Sequence, residues 1–148
     1  MLAHWTSNTS YAETSWEKVY RHTSVCATGT QIATMPADHG FEEPSHLDYC
    51  PSRGWIAACT DEGTMFVWNT SGGLITQQGV APGSNAYDTD FSSDCSKIAA
   101  VGTGAVKVFN TSTWSSTSYS AQALATDKWA VKYIDNDTKL ADGGLEKI

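Results

Sequence analysis

The residues best able to bind a metal lie between positions 38 and 50, in the stretch DHGFEEPSHLDYC. This stretch concentrates the imidazole, carboxylate and thiol groups that zinc and calcium take as ligands; they belong to His39, Glu42, Glu43, His46, Asp48 and Cys50. Their spacing matches no closed ligand set, and acidic loops that contain proline are typically solvated. We therefore predict no metal site, with a zinc or calcium site as the alternative.

Motifs for catalysis are missing from the chain. The sequence has no G-x-S-x-G, no cysteine–histidine signature and no glycine loop that would cradle a phosphate. The segment GTGAV is too short to match a dinucleotide fingerprint and fits a turn between two strands. We predict that the chain is not an enzyme and binds no cofactor.

The four cysteines allow two interpretations. Cys50 and Cys59 flank a predicted turn symmetrically, so a disulfide could join them across the hairpin. Cys59 also aligns with Val101 in the repeat described below, at a core position that favours a small buried thiol. We expect free thiols, with the Cys50–Cys59 bond as the alternative.

Four of the five asparagines stand in the N-x-S/T pattern: Asn8, Asn69, Asn110 and Asn136. Taken as glycan acceptors they would imply a secreted protein. Asn69 and Asn110 occupy the same repeat position, however, where an asparagine side chain can stabilise a turn by bonding to nearby backbone. Turn formation is the interpretation that we favour, and glycosylation is the alternative.

Composition and charge exclude several classes of function. The 148 residues suit one domain with a sizeable core. A net charge of −7 without a basic cluster opposes binding to nucleic acids. No apolar run approaches the roughly 20 residues that span a bilayer, and the first ten residues lack the pattern of a signal peptide. We expect a cytoplasmic protein, or an extracellular one if the sequons are used.

Three segments repeat at a spacing of 42 residues: YCPSRGWIAAC from position 49, FSSDCSKIAAV from 91 and YIDNDTKLADG from 133. Each places an aromatic residue seven positions before an aliphatic one, with a polar turn between them, which predicts two strands joined by a tight turn. The pairs are Tyr49 with Ile56, Phe91 with Ile98, and Tyr133 with Leu140. After the first two pairs, MFVWN and VKVFN predict a third strand, and a more polar fourth strand follows.

Repeated units of about forty residues with four antiparallel strands are typical of propeller blades, because one small sheet cannot bury both of its faces alone. Residues 46–148 resemble WD-repeat β-propeller blades. Trp68 and Asn69 stand where that family places its Trp-Asp pair, and Asp61 lies in the turn between the second and third strands. Phe109 replaces the tryptophan in the second unit, and no Gly-His precedes a first strand. The resemblance therefore implies blades held mainly by apolar stacking.

The predicted fold is all-β, a partial β-propeller of about three four-stranded antiparallel WD-like blades. We place the blades at 46–85, 86–128 and, incomplete, 129–148. We interpret 1–45 as an N-terminal strand and loop segment, with an incomplete blade as the alternative. Propellers have at least four blades. We thus expect this one to be open or completed by another chain or a second copy, unless the sequence is a stretch of a larger propeller.

Stacked blades with variable loops make good docking surfaces. The function that we predict is a non-catalytic scaffold for protein–protein interaction, as a subunit or fragment of a larger assembly. The alternative, from the sequons and cysteines, is a secreted or surface structural glycoprotein or a carbohydrate-binding propeller.

Overall fold

The structure is a computed structural model, and it describes residues 2–5, 11–15, 18–22, 30–34, 44–120 and 125–146. All regular structure in these ranges is β-strand. No helix in them is long and apolar enough to cross a membrane.

The strands form four antiparallel sheets, three of four strands and one of two. Sheet A contains β1 (Leu2–Trp5), β2 (Tyr11–Ser15), β3 (Lys18–His22) and β4 (Thr30–Thr34); sheet B contains β5 (Pro44–Cys50), β6 (Trp55–Thr60), β7 (Thr64–Asn69) and β8 (Leu74–Gly79). Sheet C contains β9 (Ala86–Phe91), β10 (Lys97–Gly102), β11 (Ala105–Asn110) and β12 (Ser116–Ser120); sheet D contains β13 (Ala125–Ile134) and β14 (Lys139–Glu146). In each sheet the strands are paired in the order in which they follow along the chain.

The first strands of successive sheets lie beside one another, β1 with β5, β5 with β9 and β9 with β13. Their neighbours in each sheet then lead away from this row of inner strands. In sheets B, C and D, each turn from a first to a second strand lies at one end of the stack, and so does each turn from a third to a fourth strand. We call this end the disulfide end; its turns are 51–54, 70–73, 92–96, 111–115 and 135–138. The remaining connections (61–63, 80–85 and 103–104) lie at the opposite end, which we call the loop end.

The repeated aromatic and aliphatic residues are cross-strand partners. Tyr49 pairs with Ile56, Phe91 with Ile98, and Tyr133 with Leu140. The third strands continue the same register, since Trp68 lies opposite Ile56 and Phe109 lies opposite Ile98. The seven-residue spacing in the sequence is thus the span of a hairpin whose partners share one face of the sheet.

Apolar side chains fill the spaces between the sheets. Strand β7 is buried on both faces, because Met65 and Val67 pack towards sheet C while Phe66 and Trp68 pack on the opposite face of sheet B. Between sheets C and D, a smaller cluster joins Val101 of β10 to Val131 of β13. Sheets B, C and D therefore exclude water from the faces where they meet, as the repeat predicts.

Gly63 fixes the connection between sheets B and C. Its carbonyl oxygen accepts the N–H groups of Val80 and Ala81, and its φ is +78°. A Cβ atom at this position would lie 2.0 Å from the carbonyl oxygen of Ala81. Only glycine can combine this backbone conformation with so close an approach.

Candidate functional site

Three buried carboxylates link the inner strands of sheets B, C and D. Asp48 accepts the backbone N–H of Phe91 at 2.6 Å. Asp88 accepts the N–H of Val131 at 2.8 Å, and Asp90 accepts that of Tyr133 at 2.7 Å. All three aspartates are at most 7% exposed, so each bond ties one sheet to the next where water does not compete.

Two cations complete this row of charges. His46 Nδ1 faces Asp88 Oδ1, and Lys132 Nζ forms an ion pair with Asp90 Oδ1. Burial alone would lower the pKa of His46, but the hydrogen bond and the charge of Asp88 outweigh it and raise the pKa. The same balance, with Asp90 as the partner, raises the pKa of Lys132. Both cations therefore stay charged over a wider pH range than they would in water.

An open groove of about 550 Å³ runs along these inner strands. It is lined by His46, Asp48, Asp88, Asp90, Ala130, Val131, Lys132, Ala141, Asp142 and Gly143. The described residues contain no group of histidine, cysteine, aspartate and glutamate side chains arranged to hold a metal ion. The three buried aspartates of the groove instead bond to backbone, and two of them also pair with His46 and Lys132, so we interpret the groove as a structural junction.

The segment first considered for metal binding is divided by the fold. His46, Asp48 and Cys50 are all in β5, but Cys50 lies at the disulfide end, away from the groove that the other two line. His39, Glu42 and Glu43 lie outside the described residues.

The structure contains a disulfide that differs both from the expected free thiols and from the alternative Cys50–Cys59 bond. Cys50 is bonded to Cys95, which joins the first turns of sheets B and C, so the Cys50–Cys59 pairing and the expectation that Cys50 is a free thiol are wrong. The reason is the register: Cys50 lies opposite Trp55, while Cys59 lies opposite His46, further along the hairpin. Cys59 is a free buried thiol whose pKa is raised by burial, and its Sγ contacts the carbonyl oxygen of Asp88 at 3.4 Å.

Aromatic residues surround this disulfide end. The guanidinium of Arg53 lies 4.7 Å from the ring centre of Trp55, whose ring stacks on Trp114 at 5.9 Å. At the loop end, Tyr87 and Trp129 stack almost in parallel at 5.0 Å. Within the part of the chain that the structure describes, one stacked aromatic pair thus links sheets B and C and another links sheets C and D.

The three described sequon asparagines all stand at turns of the disulfide end. Asn69 Oδ1 accepts the N–H groups of Ser71 and Gly73, and Asn110 Oδ1 accepts those of Ser112 and Thr113. Asn136 is exposed in the turn of sheet D. Asn8 lies outside the described residues.

Sequence reasoning missed the inter-sheet aspartates. Asp61, at the position of the family's turn aspartate, is exposed, whereas Asp48, Asp88 and Asp90 are buried. A signal was present, since Asp48 and Asp90 are 42 residues apart and thus occupy one repeat position.

Comparison with solved structures defines the class of fold. The chain superposes on the C-terminal WD40 domain of Sif2 with a TM-score of 0.73, at 12% identity, over 96% of this chain and 39% of that one. It superposes on KlHsv2, with loop 6CD replaced by a Gly-Ser linker, with a TM-score of 0.70, at 16% identity, over 95% of this chain and 48% of that one. No protein-family model matches the sequence, and no curated protein does.

The chain thus has the fold of WD-repeat β-propeller blades, and the predicted fold class and resemblance are confirmed. It spans less than half the length of either of these solved chains. The blade boundaries predicted at 45, 85 and 128 remain predictions.

Proposed function

We propose that this chain is a non-catalytic scaffold for protein–protein interaction, a subunit or fragment of a larger assembly in which another protein chain or a second copy supplies further blades. The WD40 fold supports the general type of activity, since rigid sheets with exposed loops suit docking. The partner remains to be found by experiment.

One observation carries the proposal: the outer face of sheet D is exposed at positions that are buried in the other repeats. Ala57 and Cys59 of sheet B, like Ala99 and Val101 of sheet C, are 0% exposed because the following sheet covers them. The equivalent residues of sheet D, Ala141 and Gly143, lie 42 positions beyond Ala99 and Val101 and are exposed. Ile134, on the same face, is 41% exposed. Such a face favours association with another sheet.

The absence of catalysis is part of the proposal. The buried carboxylates hold backbone N–H groups, and the thiol of Cys59 is fully buried with a raised pKa. A nucleophile or a general base needs access to a substrate and a suitable pKa.

A cytoplasmic location, which the sequence predicted, is opposed by one feature of the structure. Disulfides such as Cys50–Cys95 persist mainly in oxidising compartments. Labelling of thiols in the unfolded chain, before and after reduction, distinguishes a cytoplasmic from an extracellular location.

The face of sheet D can be tested directly at Gly143. A Cβ atom added there meets nothing within 4 Å, so Gly143→Arg should fold normally and block a covering sheet. We expect a photo-crosslinker at position 143 to capture another protein chain or a second copy in native material, and Gly143→Arg to reduce the assembly to the 15.9 kDa chain.

The matched control is Ser118→Arg, an equally large change on the exposed outer strand β12, which should leave the assembly intact. Circular dichroism spectra of both variants should match the parent. A chain that stays at 15.9 kDa and gives no crosslink from position 143 would contradict the proposal.

A further inference from the structure

The three sequon asparagines that the structure describes lie at one end of the stack. Asn69 and Asn110 end strands β7 and β11 at the disulfide end, and Asn136 lies in the turn of sheet D at the same end. Asn85, the asparagine outside any sequon, lies at the loop end between sheets B and C. Glycans attached to these three asparagines would therefore not obstruct the loop end.

The three asparagines differ in how accessible their side chains are for attachment of a sugar. Asn110 is exposed, and its hydrogen bonds to Ser112 and Thr113 use Oδ1, which leaves Nδ2 as the atom to which a sugar can be attached. Asn136 is exposed at the tip of its turn. Asn69 is only partly exposed, so its side chain has less free space around it than those of Asn110 and Asn136. A glycan therefore fits at Asn110 and Asn136 more readily than at Asn69.

A second, independent observation concerns the compartment in which the chain folds. Cys50 and Cys95 come from neighbouring sheets, are both 0% exposed and form a disulfide. Forming this bond removes two electrons and two protons from the thiols, which a disulfide-bearing oxidant of the secretory pathway would accept as it is reduced to a dithiol. The same pathway attaches glycans to N-x-S/T asparagines.

We propose that Asn110 and Asn136 are N-glycosylation sites and that Asn69 stays unmodified. Attachment forms a bond from Nδ2 to the anomeric carbon of a sugar and breaks the bond from that carbon to a lipid-linked diphosphate donor. The nitrogen loses one proton, and the lipid diphosphate leaves with the electron pair of the broken bond. Glycans then cover the disulfide end, and the loop end remains available to partners. This proposal does not depend on the scaffold function.

The test uses the chain isolated from its natural source, with its intact mass measured before and after treatment with peptide N-glycosidase. The enzyme converts a glycosylated asparagine to aspartate, so peptide mapping in heavy-oxygen water identifies each site. We expect a loss of mass and labelled aspartate at 110 and 136, but not at 69 or 85. An unchanged mass would overturn the proposal.

Variants produced in the natural host complete the test. Asn110→Gln and Asn136→Gln should each remove one glycan, while Asn85→Gln, the matched control, should remove none. Loss of a glycan in Asn69→Gln but not in Asn110→Gln would overturn the geometric assignment. Alkylation of Cys50 or Cys95 in the urea-unfolded chain without reductant would overturn the compartment argument. A monomer glycosylated at Asn110 and Asn136 would support the glycosylation sites and contradict the scaffold function. An assembly without glycans would support the scaffold function and contradict the glycosylation sites.

Discussion

The carboxylate of Asp48 in sheet B accepts the backbone N–H of Phe91 in sheet C at 2.6 Å. Asp90, at the same position of the next repeat, makes the same bond to Tyr133 in sheet D at 2.7 Å. The third repeat has Lys132 at this position, and that lysine pairs back to Asp90. The same hydrogen bond, from a backbone N–H to an aspartate, therefore recurs between successive inner strands. In sheet D the equivalent position holds Lys132, which cannot accept such a bond.

Removing this carboxylate should weaken the contact between sheets B and C. We expect Asp48→Ala to lower the free energy of unfolding by about 1–3 kcal/mol, because the N–H of Phe91 would stay buried without an acceptor. Urea unfolding measures the change. Glu62→Ala, an acidic residue in an exposed turn, is the control and should change the value by less than about 0.5 kcal/mol; equal effects of the two variants would count against the role of Asp48.

Stability should decrease as the pH rises through the titration of His46. Its pKa is raised in the folded chain above the unfolded value of about 6.5, so the folded state holds the proton more tightly. The contribution is complete below about pH 6.5 and is lost as the pH passes the folded pKa. The difference in unfolding free energy between the parent and His46→Gln should shrink over that range, and two parallel pH profiles would refute this assignment.

Reduction of Cys50–Cys95 should destabilise the chain. The two cysteines are 45 residues apart, and a cross-link over such a loop contributes about 4 kcal/mol in the chain-entropy account. We expect reductant to lower the urea midpoint of the parent chain to that of the Cys50→Ser, Cys95→Ser double variant. The double variant itself should not respond to reductant, and a parent chain that does not respond would disagree with a structural disulfide.

Trp68 should be among the most sensitive positions of the core. Its side chain is 1% exposed, on the face of sheet B that also carries Ile56 and Phe66. Trp68→Ala should cost about 3–5 kcal/mol of unfolding free energy, because it removes a large buried side chain and leaves a cavity. Tyr119→Ala is the matched control, since that ring is 53% exposed; a loss of similar size there would mean that burial does not explain the effect.

The strands of sheets B, C and D could be predicted because their signals are local. Alternating apolar residues, polar turns and the spacing of 42 residues predicted hairpins whose partners the structure pairs as expected, such as Tyr49 with Ile56. The four strands between Leu2 and Thr34 were not distinguished, since the repeat is imperfect there and gives no register.

The hairpins of the repeat and the turn role of Asn69 and Asn110 could be predicted from sequence alone, because both depend on residues close together along the chain. The stacked arrangement of the sheets was needed to establish the pairing of Cys50 with Cys95 and the bonds from Asp48 and Asp90 to the following sheet. These contacts join residues more than 40 positions apart, and they depend on the relative position of two stacked sheets, which no local pattern encodes.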